Sequence, residues 1–224
     1  QSERNLSWFT DTGVGESVQV AQGEHSELPD DAQTFEQTER GASDDGVNDY
    51  VHATVTGLEP GTTYSYRVGS DEGGWSDVMT FVNHDEDLEH SFTFIGDAQI
   101  GSSGDIDSDG NGWQTTLDRS NEMFPDSHFL LSAGDQIETG SGNPDEYQSY
   151  LAPEQMRTQT SAQTLGNHDY AGDEPQALFG QHFNLPNQWE GDPTGGNYWF
   201  TQNGVLHLNI STENRDFESH REFI

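Results

Sequence analysis

Through the first eighty residues, apolar side chains recur at every second position in short runs broken by turn residues. Leu6–Thr10 and Val18–Ala21 read as strands, and Thr34–Arg40 as a weaker one. Val51, Ala53 and Val55 alternate with His52, Thr54 and Thr56, the period of a half-buried strand. After the turn Leu58-Glu59-Pro60-Gly61-Thr62 the alternation returns at Tyr64, Tyr66 and Val68, and Trp75 with Val78–Val82 closes the region. Close-set strands with Pro/Gly turns and no helical period predict an antiparallel β-sandwich. The corner Leu58-x-Pro60-Gly61-Thr62-x-Tyr64 predicts a tyrosine hydroxyl bonded back to nearby backbone, a structural role with no chemistry.

The pattern changes after a charged stretch. Residues 84–90 predict a linker in which His84 and His90 are solvated, dividing a domain at 1–83 from one at 91–224. Phe92–Ile95 and Phe129–Ala133 are apolar and read as buried strands. Helices are predicted over Trp113–Phe124 and about Glu146–Ser161, and strand–helix–strand order implies parallel pairing. Tyr198–Thr201 and Val205–Ile210 flank Gln202-Asn203-Gly204 and predict a hairpin.

Composition narrows the classes. Only 29% of the 224 residues are hydrophobic, yet aromatics reach 11% and sit in the strand-like runs, which argues for a folded chain. Asp and Glu number 41 against seven basic residues, all arginine, for a net charge of −34. Such a surface excludes nucleic-acid binding through basic patches and attraction to anionic lipid. Excess acid without lysine suits high salt, where at ~1 M the Debye length is only ~3 Å and self-repulsion is screened. Cysteine is absent, so there is no disulfide, thiolate ligand or cysteine nucleophile. No stretch approaches the ~18 apolar residues of a membrane span.

The candidate chemistry lies at strand ends. Both apolar strands run into Gly-Asp, Gly96-Asp97 and Gly134-Asp135, which places two carboxylates at one sheet edge. In open α/β sheets the carboxyl edge is where ligands bind. Neighbouring carboxylates repel unless protonated or bridged by a cation, and a hard or borderline divalent ion is the natural bridge. Gly166-Asn167-His168-Asp169 then brings an amide oxygen and an imidazole on a third loop.

These motifs resemble the calcineurin-like metallophosphoesterases that carry a purple-acid-phosphatase-type, fibronectin III-like N-terminal domain. Ser7-Trp8-Phe9-Thr10-Asp11-Thr12-Gly13 and the Leu58–Tyr64 corner resemble that domain. Gly96-Asp97-Ala98-Gln99-Ile100-Gly101, Gly134-Asp135 and Gly166-Asn167-His168-Asp169 resemble the first three phosphoesterase motifs. The resemblance implies a multidomain β plus α/β fold: a fibronectin III-like β-sandwich, then part of a metallophosphoesterase α/β/β/α sandwich. It implies hydrolysis of phosphate monoesters by two metal ions (Fe, Zn, Mn or similar) that clamp the phosphoryl oxygens. Asp97 would ligate the first ion with Gln99 beside it, Asp135 would bridge both, Asn167 would ligate the second, and His168 would assist the leaving oxygen. An extracellular location is implied in the same way.

The chain departs from the pattern at three places. Gln99 stands where many relatives have histidine, which weakens the first metal position. Glu138 stands where purple acid phosphatases have a metal-binding tyrosine, so no iron–tyrosinate colour is expected; Glu138 would instead orient His168. The V-x-x-H and G-H-x-H motifs do not occur, and His207 and His220 lack the neighbours to replace them, so the sequence reads as a piece carrying half a site and inactive alone. Alternatives are a nucleotide or phosphodiester hydrolase on the same fold, and a metal-free adhesion or scaffold module. Asp105-Ile106-Asp107-Ser108-Asp109-Gly110 begins like a calcium loop, but Thr116 stands where the twelfth-position glutamate is needed, and an acidic surface loop is expected. His25, His52, His128 and His182 show no ligand spacing and read as structural.

Overall fold

The structure, a computed structural model, describes residues 2–43, 46–86, 90–140, 143–170 and 175–224. Residues 87–89 of the predicted linker lie outside them. The first eight strands are β1 (Glu3–Thr10), β2 (Ser17–Gln22), β3 (Gln33–Glu36), β4 (Glu39–Ala42), β5 (Asp49–Thr56), β6 (Thr62–Ser70), β7 (Gly74–Trp75) and β8 (Met79–Asn83). They form two antiparallel sheets, β1-β5-β4 and β3-β2-β6-β7, with β8 also on β6.

The predicted strand Thr34–Arg40 is two strands, one in each sheet. Gln37 N–H bonds Glu16 O (3.3 Å) at the end of one, and Thr38 N–H bonds His52 O (2.7 Å) at the start of the other, so the chain changes sheets between them. The alternating apolar residues meet inside, where Val18, Val20, Ala53, Val55, Leu58, Tyr64, Tyr66 and Phe81 form one cluster. Burying each such side chain contributes about 1.5–3 kcal/mol, the main force holding the sheets together. At the corner, Glu59 N–H donates to the Tyr64 hydroxyl oxygen at 2.8 Å.

The second part contains β9 (Phe92–Ile95), α1 (Ile106–Met123), β10 (Phe129–Ser132), α2 (Pro144–Leu151), α3 (Gln155–Thr158), β11 (Ser161–Ala162), α4 (Pro175–His182), β12 (Tyr198–Gln202), β13 (Val205–Asn209) and α5 (Phe217–Phe223). β9, β10 and β11 are parallel in the order β11-β10-β9; β10 is buried as expected, but β9 is not, with Phe92 and Phe94 exposed at the sheet's edge strand. β12 and β13 form the hairpin, with Asn203 (φ 51°) and Gly204 (φ 75°) in the left-handed conformation its two-residue turn needs. Trp113, Leu117, Leu130, Ile137, Tyr147, Tyr150, Phe179 and Phe183 are in the core that joins helices to sheet. No helix among the described residues is long and apolar enough to cross a membrane.

Three sequence expectations are corrected. α1 starts at Ile106, seven residues before Trp113, so the calcium-like acidic run is its first turns and not a loop. Asp105 is the N-cap, accepting Ser108 N–H at 3.0 Å, and Asp107 and Asp109 face the positive end of the helix dipole. The helix expected over Glu146–Ser161 breaks into α2 and α3 around Pro153, whose ring and missing N–H interrupt the turn. His84 and His90 are half-buried: His84 packs on His128 with ring centres 4.5 Å apart, and His90 lies 6.0 Å from His128 and 6.4 Å from His207.

The two parts meet through α4. Its Gln181 carbonyl accepts from Ser7 Oγ (3.1 Å) and pairs with His52 Nε2 (3.3 Å). Asn184 Nδ2 donates to the Leu6 and Ala53 carbonyls, both at 3.2 Å. His52 is therefore 5% exposed, although the alternation places it on the outer face of β5.

Candidate functional site

The loops that leave β9 and β10 stay zipped together beyond the strands. Asp97 N–H donates to Gly134 O (3.0 Å), Gln99 N–H to Asp135 O (2.9 Å) and Ile100 N–H to Gln136 O (3.1 Å). Asp97 (φ 56°), Gln99 (φ 39°) and Asp135 (φ 54°) are three of the five non-glycine residues with positive φ among those described. Left-handed backbone at such residues costs free energy, persists only where surroundings enforce it, and concentrates at functional sites.

Glycines permit the close approach. A Cβ on Gly134 would stand 2.9 Å from Gly166 Cα, and one on Gly166 would stand 2.1 Å from Asp135 Oδ1. The Asp135 carboxylate therefore lies directly against the third loop, where its Oδ1 accepts His168 N–H at 2.9 Å. Asp97, Asp135 and His168 are brought to one edge. Asp97 and Asn167 are exposed, Asp135 is buried, and Gln99, Glu138 and His168 are partly buried. His168 Nδ1 lies 2.8 Å from the Glu138 carbonyl and 3.5 Å from Glu138 Oε2. A proton on Nδ1 satisfies that carbonyl and leaves Nε2 uncommitted. The Glu138 carbonyl, more than its carboxylate, raises the His168 pKa above 6.5.

The residue that organises these loops is one the sequence reading gave no role. Asp169 is fully buried and accepts N–H groups from the second and third loops: Asp135 (2.8 Å), Gly166 (2.9 Å), Gln136 (3.1 Å) and Ile137 (3.4 Å). The Tyr147 hydroxyl adds a fifth bond at 3.3 Å. Burial pushes the Asp169 carboxyl up from 3.8 to about 7, with the Asp135 carboxylate adding to the rise and the N–H groups opposing it. Glu146, 2% exposed, does similar work one layer out, accepting Thr139 N–H (2.8 Å), the Thr139 hydroxyl, Glu138 N–H (3.2 Å) and Asn143 Nδ2 (2.9 Å). The only sequence signal for Asp169 is its place at the end of Gly166-Asn167-His168-Asp169; nothing local marks Glu146.

Among the described residues, no group of three or more His, Asp and Glu side chains is closed around a point that could hold a metal ion. The residues fit part of a metal site. Among the described residues no arginine pairs with Asp97 or Asp135, and two unneutralised carboxylates at one edge are what a cation relieves. Asn167 and Gln99 can supply further oxygen donors of the kind that hard and borderline ions accept.

Residues 1–83 match the family model of the purple acid phosphatase N-terminal domain. The sandwich is similar to that domain. No curated protein matches the chain. Among solved structures, the fold is similar to purple acid phosphatase PPD1 from yellow lupin (Lupinus luteus) seeds, with a TM-score of 0.67 at 14% identity. That similarity covers 99% of this chain and 46% of the lupin chain, so this chain spans about half the length of that purple acid phosphatase. It establishes the fold of both parts: a β-sandwich followed by part of an α/β domain.

Proposed function

We propose that this protein is a phosphomonoesterase, secreted into a high-salt environment, whose active centre takes two metal ions of the iron, zinc or manganese kind. Its parts are a sandwich over 1–83, a linker over 84–90 and a catalytic domain from 91. The observation that carries the reading is the juxtaposition of Asp97, Asp135 and His168 at the carboxyl edge of a parallel sheet, on backbone held in costly conformations. The purple acid phosphatase N-terminal domain supports it from the other end of the chain.

In this reading Asp97 and Gln99 would hold one ion and Asn167 the other, Asp135 would contribute to both, and the remaining donors would come from outside these 224 residues. The ions would supply charge neutralisation and an activated water. With seven arginines against 41 acids, the chain has little else to attract a phosphate. His168 supplies the proton. Its Nδ1 is tied to the Glu138 carbonyl, so a protonated ring presents Nε2–H to the leaving oxygen. Glu138 is a positioning residue for that ring.

The test is turnover of an aryl phosphate at high salt by the full-length protein and by its Asp135→Asn variant. Metal-dependent turnover in the first and none in the second is the expected result. Unchanged turnover in Asp135→Asn would overturn the assignment. Full-length protein that binds no metal would favour the metal-free scaffold reading, to which Gln99 is the pointer.

A further inference from the structure

A cleft of about 700 Å³ lies between the sandwich and the α/β part, a size typical of small-molecule sites. Tyr66 and Phe81 line it from one side, Phe129 and Met156 from the other, and Arg4 stands among them. None of Asp97, Gln99, Asp135, Glu138, Asn167 and His168 lines it.

Arg4 is the unusual group. Three arginines are partly buried. Arg40 pairs with Asp49 at 2.7 Å, and Arg67 donates twice to Gln19 Oε1 at 2.9 and 2.7 Å. Arg4 has no carboxylate among the described residues. Its Nη2 donates to the Val82 carbonyl at a long 3.3 Å, its guanidinium lies 4.3 Å from the Phe81 ring centre, and its Nε–H is buried without a partner. Burial pushes its pKa down to about 10. A partly buried guanidinium with no carboxylate beside it and an unsatisfied buried Nε–H is costly, and here it occurs in a chain with 41 carboxylates to choose from.

We propose that this cleft binds an amphiphilic carboxylate, a monoanion with an apolar body, whose head group pairs with Arg4. The planar fork of Arg4 suits a carboxylate, and the aromatic and aliphatic walls suit the body. A doubly charged phosphate head is disfavoured. It would meet a single guanidinium, and the exposed carboxylates of Glu3 and Glu86 also line the cleft. This site is independent of the phosphoesterase reading and stands or falls separately.

Octanoate and 1-octanol, which share an apolar body and differ in the head, are the probes. Each is titrated into the full-length protein at high salt, with calorimetry giving stoichiometry and the emission of Trp8 and Trp199, which line the cleft, reporting location. One octanoate per chain is expected, bound at least about ten-fold more tightly than octanol, the value of a charged hydrogen bond. Arg4→Met, which keeps the apolar stem, is expected to lose that ten-fold for octanoate and leave octanol unchanged. Absence of octanoate binding overturns the proposal. So does equal binding of octanoate and octanol by the wild-type protein, a comparison that needs no variant, or unchanged octanoate affinity in Arg4→Met.

Discussion

The interior of the sandwich and the interior beneath the candidate site are held by different means. Val18, Val20, Val55, Tyr66 and Phe81 give the sandwich a core in which little must be satisfied except apolar contact. Beneath the site, fully buried Asp169 and Gln136 sit beside Tyr147, and loop geometry depends on their hydrogen bonds. A core of the first kind tolerates volume-conserving exchange. A core of the second kind does not tolerate loss of a partner, because each orphaned N–H retains its full desolvation cost. Position of the reactive groups is what the second kind secures.

The sharpest test of that contrast is Asp169→Ala. It strands the N–H groups of Asp135, Gly166 and Gln136 at once, and a loss of about 3–5 kcal/mol is expected. Denaturant unfolding would read it; a loss below about 1 kcal/mol would show that the loops do not depend on this carboxylate. Tyr64→Phe, which deletes the corner hydroxyl while keeping the ring on Phe81, is expected to cost only about 1 kcal/mol.

The interior beneath the site and the junction between the two parts predict opposed pH slopes. The folded Asp169 pKa, about 7, lies above its usual 3.8. Between those values the native state keeps a proton that the unfolded chain has released. The stabilisation from Asp169 is therefore full below about pH 4 and lost as pH rises through 7. At the junction, His84 and His207 are lowered from 6.5 by burial first, then by His128 and His90 respectively. Arg4 lowers His84 further, while Asp126 and Asp85 pull it up. Their stabilisation is present above about pH 6.5 and lost as pH falls through their folded values. Melting curves across pH 4–8 should show Asp169→Asn removing the decline toward neutral pH, and His84→Gln with His207→Gln removing the decline toward acid. The same slopes in all variants would reject the assignment.

Two smaller effects belong to the site. In the full-length protein, Glu138→Gln removes a charge that holds the His168 pKa up, so the proposed phosphatase activity, which needs a protonated His168, should fall off at lower pH, with little change in stability. Ferric loading should give no purple colour, since Glu138 and not tyrosine follows Asp135 by three residues.

Legibility from sequence follows the same division. The alternation of Val51, Ala53 and Val55 is a one-dimensional record of the sandwich core, and the Pro60-Gly61 turn before Tyr64 marks the corner. The pairs Gly96-Asp97 and Gly134-Asp135 are readable because each ends a continuous apolar strand. The part played by Asp169 is not readable, since its partners lie up to 34 residues away in sequence and meet only when two loops and α2 converge. The first turns of α1 are hidden because Asp105, Asp107 and Asp109 have the composition of a loop, and only a helix end turns them into a cap and a first turn. His52 escaped because its burial comes from α4, far along the chain.

The β12–β13 turn also bears on how this protein ages. Asn203 Nδ2 donates to the Asp85 carbonyl at 3.1 Å, tying the hairpin to the segment that leaves the sandwich. Asn203 is followed by Gly204, whose missing side chain offers least hindrance to backbone attack on the amide. Deamidation there would remove the donor and set a new carboxylate against the carbonyl it now bonds. In a chain already at −34, a single spontaneous reaction would turn this tie into a repulsion.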